Sequence, residues 1–149
     1  MIQRIQSVFL FVSLCFLVSM FFIPVATLVH SRGIVTFDFV GFDVSALEEP
    51  KNIQYSIMLF AILISFINLI IIFLYKSRLL QMRLCVYNIL LLIGIAGVSL
   101  LVIYSLPDVE QVTPNLPIVF PVVSAILHYL AFRAIRRDHF MVEALNRLR

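Results

Sequence analysis

Four long apolar runs separated by short polar stretches organise the chain. The first is uncharged from Ile5 to Val29, the second runs from about Ser56 to Tyr75, the third from Leu84 to Leu106 and the fourth from about Pro114 to Phe132. A helix that crosses hydrocarbon needs about 20 mostly apolar residues. The runs are continuous and do not alternate, which argues against barrel strands. Lipid offers the backbone no hydrogen-bond partner, so each run is predicted to be a helix that satisfies itself.

The boundaries carry local signals. Thr113–Pro114 reads as an N-cap followed by proline at the first helical position. Pro121 is expected to kink the fourth helix near its outer end, and Pro24 to bend the first in its outer third. Asn52 is a fair cap for the second helix, and Pro107 stops the third. The competing reading of the first run is a secretory signal. A signal core is about 7–15 residues long; the run from Ile5 to Val29 is longer, and Leu14 before Cys15 rules out a lipobox. An uncleaved anchor is the expectation.

Outside the runs, the loop 31–51 has a strand-like segment, Ile34 to Val44, in which Val35, Phe37 and Phe39 alternate with Thr36, Asp38 and Val40. Gly41 reads as a bulge or turn. The segment is expected to form a short β-hairpin or strand, either folded onto the helices as a lid or presented to a partner. Alternation places Asp38 and Asp43 on opposite faces, so they make a poor carboxylate pair; Glu48-Glu49-Pro50 reads as a solvated turn. No glycine or proline follows Val122, so the fourth helix is expected to continue into the tail 133–149, with Ala134, Met141, Leu145 and Leu148 on one face and Glu143 paired with Arg147.

Composition agrees with the pattern. Of 149 residues, 62% are hydrophobic and 13% charged, against roughly 45–50% and 25% in soluble domains. Mean hydropathy is +1.09. Charge then sets orientation. Arg4, Lys76, Arg78, Arg83, Arg133, Arg136, Arg137, Arg147 and Arg149 fall at one end of the predicted bundle; only Arg32 and Lys51 fall at the other. The positive-inside rule puts both termini in the cytoplasm. The net charge of +3 is therefore a topology signal, and no interleaved basic–aromatic groove suggests nucleic acid.

Polar residues inside spans are the default place to look for function. His128, Asn68 and Asn88 are the candidates. Asn68 lies about 10 Å, and Asn88 and His128 about 6 Å, from the inner ends of their helices, so all three belong to the inner half of the bilayer. Two readings stay open: a polar pocket for a proton, an ion or a lipid headgroup, or hydrogen-bond glue between helices. Arg133, Arg136 and Arg137 are candidate contacts for anionic lipid or a partner. Ala61 with Ser65, and Gly94 with Gly97, are candidate close-approach faces. Cys15 and Cys85 read as free thiols, and His30, His128 and His139 lie at different levels, so no metal site is expected. No catalytic motif and no cofactor-binding motif is present.

The opening Met1-Ile2-Gln3-Arg4-Ile5-Gln6, the four spans, and the ending Ala134-Ile135-Arg136-Arg137-Asp138 to Arg147-Leu148-Arg149 resemble a family of small bacterial inner-membrane proteins catalogued as domain of unknown function 4293. The resemblance covers the whole chain. It implies a Bacteroidota-type source, an inner-membrane location and four helices, and it supplies no catalytic residues. The plan of a large, strand-bearing first loop and a short second one is also similar in shape to claudin-like tetraspans, without their loop tryptophan signature and cysteine pair. The expected molecule is an all-α, four-transmembrane-helix bundle forming one domain. It carries a short β element in the first exterior loop and a cytoplasmic extension of helix 4. The expected role is a non-enzymatic accessory or scaffold component that binds lipid, a membrane-protein partner or a second copy. The alternative is a small transporter or lipid-handling protein with an inner-leaflet polar pocket.

Overall fold

The computed structural model describes residues 3–30, 33–39, 51–74, 77–105 and 109–147. Among them are four helices, α1 (Gln3–Ser19), α2 (Lys51–Phe73), α3 (Arg78–Ser105) and α4 (Phe120–Arg147), and three strands, β1 (Ala26–His30), β2 (Gly33–Phe37) and β3 (Val109–Pro114). A short 3-10 helix, Leu116–Val119, leads into α4. The helices pack in a ring, each against the next in sequence and α4 back onto α1. The short connection 74–77 makes α2 and α3 antiparallel. One end of the ring is closed by the sheet; the other carries Arg78, Arg83, Arg133, Arg136 and Arg137.

Buried positions repeat with alternating steps of four and three. They are Gln6, Leu10, Ser13 and Leu17 on α1, with Met20 one residue past its end, and Ile57, Ala61, Ile64, Asn68 and Ile71 on α2. On α3 they run Gln81, Cys85, Asn88, Leu92 and Ile95, and on α4 Ser124, His128, Ala131 and Ile135. This is the seam of left-handed helix packing. The opposite faces are also apolar: Leu59, Phe66, Phe73, Leu90, Leu101 and Ile126 are all exposed. Bare apolar faces of this extent do not suit water. Three helices, within Ser56–Phe73, Arg78–Tyr104 and Leu116–Val142, are long and apolar enough to cross a membrane.

The first run does not form one helix to Val29. α1 ends at Ser19 after 17 residues, about 25 Å, and Ala26–His30 is a strand. Pro24 separates the two rather than bending a continuous helix. It removes a donor and disfavours helical geometry at Ile23. The helix closes beforehand, with Phe21 N–H donating to Val18 O at 3.1 Å and Phe22 N–H to Ser19 O at 3.1 Å. The apolar chain beyond it then finds its backbone partners in a sheet. β1 is central, antiparallel to β2 and β3, with Leu28 opposite Val35 on one side and Val112 on the other. Val25 N–H donates to Phe37 O at 2.8 Å, and Asn115 N–H to Val25 O at 2.9 Å.

The expected β element is thus present as β2, but its partner β1 comes from a run read as helical, and β3, on the far side of β1, from the connection between the third and fourth runs. Thr113 and Pro114 end β3 rather than starting α4. Pro121 is the second residue of α4, in its first turn, where its missing donor is harmless. Asn52 lies inside α2, and α3 starts at Arg78, earlier than the apolar run. α4 does continue through the tail to Arg147. Gly41, Asp43, Glu48, Glu49, Pro50, Tyr75, Lys76 and Pro107, and the side chains of Glu143, Leu145 and Arg147, lie outside the described residues.

Phe37 and Phe39 turn inward from β2 and its end, and join Val25, Leu28, Ile103 and Phe120 in one cluster. A ring contact of 5.1 Å between Phe16 and Phe120 fastens α1 to the start of α4. The sheet is therefore a lid on the helices, as the lid reading required. Gly94 and Gly97 are not close-approach points within the chain: a Cβ built on either meets nothing within 4 Å. Gly97→Ala is expected to leave stability unchanged or raise it by up to about 1 kcal/mol, since alanine is the better helix former. Unfolding in mixed micelles measures this, and a loss of similar size would mean that another molecule packs against that face.

Candidate functional site

Each helix places one polar side chain at the same level of the seam. His128 from α4 is central. Its Nε2 lies 2.8 Å from Asn88 Nδ2 of α3. Its Nδ1 lies 2.9 Å from the Ser124 carbonyl oxygen, one turn back, and 3.1 Å from Ser13 Oγ of α1. Asn68 of α2 completes the set, its Nδ2 donating to Ser13 Oγ at 3.3 Å. His128, Asn68, Asn88 and Ser13 are all 0% exposed.

The geometry fixes the neutral tautomer. A carbonyl oxygen can face only a donor, so Nδ1 carries the proton and shares it between Ser124 O and Ser13 Oγ. Nε2 is then the acceptor for the Asn88 amide. In this arrangement the imidazole is held by three helices and the fourth is joined through Ser13. Among the described residues, Asn68 Oδ1, Asn88 Oδ1 and Ser124 Oγ have no hydrogen-bond partner.

The network divides the core. Towards the sheet lie Leu17, Ile64 and Leu92; towards the arginines lie Leu10, Ile71, Cys85, Ala131 and Ile135. A second polar tie lies further down, where Gln81 Nε2 donates to Ile71 O at 3.1 Å and satisfies a carbonyl of the last turn of α2. Among the described residues no three His, Cys, Asp or Glu side chains are grouped to hold a metal ion.

The arginine end has its own geometry. Arg83 and Arg133 lie five residues, about 7.5 Å, beyond Asn88 and His128 along their helices. Arg133 and Arg137 rim a groove between α1 and α4 floored by Ile5, Phe9, Leu130 and Ala134. Arg136 turns to the other flank of α4 and, with Arg83 and His139, borders a groove of about 420 Å³ against α3. Its guanidinium lies 5.5 Å from the centroid of Phe140. Asp138 is engaged by Arg78 at 3.3 Å.

A family model matches residues 2–148. The chain belongs to the family described as Domain of unknown function (DUF4293). No curated protein and no solved structure matches it. Membership in DUF4293 therefore carries no activity, and the chemistry of this DUF4293 chain has to be read from its own residues. Sequence reasoning names Asn68, Asn88 and His128, and the structure brings all three together. It misses Ser13 and Ser124. The available signal is the four-three spacing itself, on which Ser13 falls between Leu10 and Leu17.

Proposed function

We propose that this protein is a non-enzymatic accessory or scaffold component of a bacterial inner membrane, crossing it four times with both termini in the cytoplasm. In this reading it holds lipid or a membrane-protein partner through its outer faces and its arginine end. The observation that carries the reading is the state of the polar residues. The imidazole that would do chemistry is sealed at 0% exposure and bonded to side chains or backbone of α1, α3 and its own helix. A buried network of this kind locks helices together. What is left for recognition is outside: bare apolar faces and a ring of arginines.

α1 is short for a span at about 25 Å. Met20 to Val25 and the inward face of β1 extend its apolar surface toward the sheet, with every strand paired, which suits the headgroup level. A fluorescent reporter fused after Arg149 is expected to be active and a phosphatase fused there inactive. Phosphatase activity at that position would reverse the orientation. Crosslinking in intact membranes, followed by identification of what co-purifies, tests the role. Removing residues 136–149 is expected to abolish the captured species, while Asn68→Ala leaves it.

The unpartnered Asn68 Oδ1, Asn88 Oδ1 and Ser124 Oγ favour a second reading, a small transporter or lipid-handling protein whose inner-leaflet pocket uses these acceptors. That reading requires the opposite pattern, with activity lost in Asn68→Ala and kept without the tail.

A further inference from the structure

We infer that the groove between α3 and α4 at the arginine end is a binding site for one anionic phospholipid, its phosphate held between Arg83 and Arg136 and one acyl chain laid along the groove. The inference rests on the membrane reading above and names the ligand of its arginine end.

The walls are apolar and come from both helices: Val86 of α3 and Phe132 of α4 lie on the network side of the two arginines, Met82 beside Arg83, and Leu79 and Phe140 beyond them. Its volume of about 420 Å³ lies in the range of single small-ligand sites. A flexible hydrocarbon chain can follow an apolar groove of this volume.

Charge selects the headgroup. Arg83 and Arg136 are exposed at the rim and arrive from two different helices. Arg136 is kept at the groove by stacking near Phe140, which limits its entropy loss on binding. Guanidinium groups match phosphate oxygens in a two-pronged geometry. The carboxylate nearest along α4, Asp138, is already drawn to Arg78, so among the described residues no acid within salt-bridge distance neutralises the pair. The rim stands about 7.5 Å beyond the buried network along α3, at the level where apolar helix gives way to cationic surface. Phosphates of a bilayer lie at that level.

Arg133 and Arg137 provide the internal control. They rim a groove of the same volume on the α1 side, but both come from α4, so no guanidinium from a second helix lines it.

The test uses the full chain in non-ionic detergent and native mass spectrometry, with palmitoyl-oleoyl phosphatidylglycerol and phosphatidylcholine as the two probes. Phosphatidylglycerol is expected to be retained preferentially. The Arg83→Gln/Arg136→Gln double variant is expected to lower that preference by about fivefold or more, with phosphatidylcholine unchanged. Val86→Trp, which fills the groove, is expected to lower retention of both. Arg133→Gln/Arg137→Gln is expected to keep the preference. Equal losses in the two arginine pairs would reduce the effect to net charge and overturn the site, as would no loss in either. Retention untouched by Val86→Trp would overturn the groove as the seat of the chain. Failure here leaves the scaffold reading standing if a partner is still captured in membranes; a lipid preference without a captured partner does the reverse.

Discussion

His128→Ala is expected to destabilise the bundle by about 3–5 kcal/mol, one of the two largest single-residue effects in the chain. Two contributions add. The substitution removes the hydrogen bonds to Asn88 and Ser13, each worth about 0.6–2 kcal/mol between membrane helices. It also opens a cavity at a site that is fully buried, between two apolar layers. Asn88→Ala alone is expected to cost about 1–2 kcal/mol. After His128→Ala it should cost less, because its amide has already lost its acceptor. A double-mutant cycle read by unfolding in mixed micelles measures this coupling, expected at about 1 kcal/mol. If His128→Ala costs under about 1 kcal/mol, the network is not what locks the helices, and the pocket reading gains.

Much of the interior is legible because helices this apolar put their information into a few polar residues. Asn68, Asn88 and His128 stand out against Leu, Ile and Val, and the rise per residue places all three in the same half of their helices. Ser13 is less visible. Serine is ordinary in a membrane helix, since its hydroxyl can bond its own backbone, as Ser65 Oγ does to Ala61 O at 2.9 Å. Only its place in the four-three seam marks it. The glycines misled for a related reason: small residues permit close packing without requiring it, and Gly94 and Gly97 lie on an open face.

The sheet is less legible. Phe37 and Phe39 alternate as a strand does, and both are buried. The partner strand β1, by contrast, is drawn from an uninterrupted apolar run. Length and hydropathy assign such a run to a helix, because they register burial and not the source of the hydrogen bonds. Residues 26–30 pair with residues 109–114, far along the chain. That pairing depends on where α1 and α4 stand, which local pattern does not contain. Two local marks pointed the other way: Pro24, and the β-branched Thr27 and Val29 after it. Thr27 turns out to be a node of the sheet end, accepting Thr113 Oγ1 on its carbonyl at 2.8 Å and Asn115 Nδ2 on its hydroxyl at 3.2 Å.

Leu28→Asp separates the two geometries of that segment with the second large effect. In the observed fold Leu28 is in the middle of the central strand, 1% exposed and clustered with Phe37, Ile103 and Phe120. A carboxylate there has no cation to pair with among these neighbours and cannot reach water without parting the lid from the helices. The loss of a buried leucine together with a buried unpaired charge is expected to exceed about 4 kcal/mol. Little folded protein should then survive detergent extraction and size-exclusion chromatography. Leu28→Val, which keeps the site apolar, should cost under about 1.5 kcal/mol. A helix continuous to Val29 predicts the opposite. It would carry residue 28 out at the membrane surface, where an acidic side chain can turn to the headgroups at little cost. Folded Leu28→Asp in near-normal yield would therefore restore the long helix and remove the sheet, because no arrangement that buries this position on both sides of a central strand tolerates the charge.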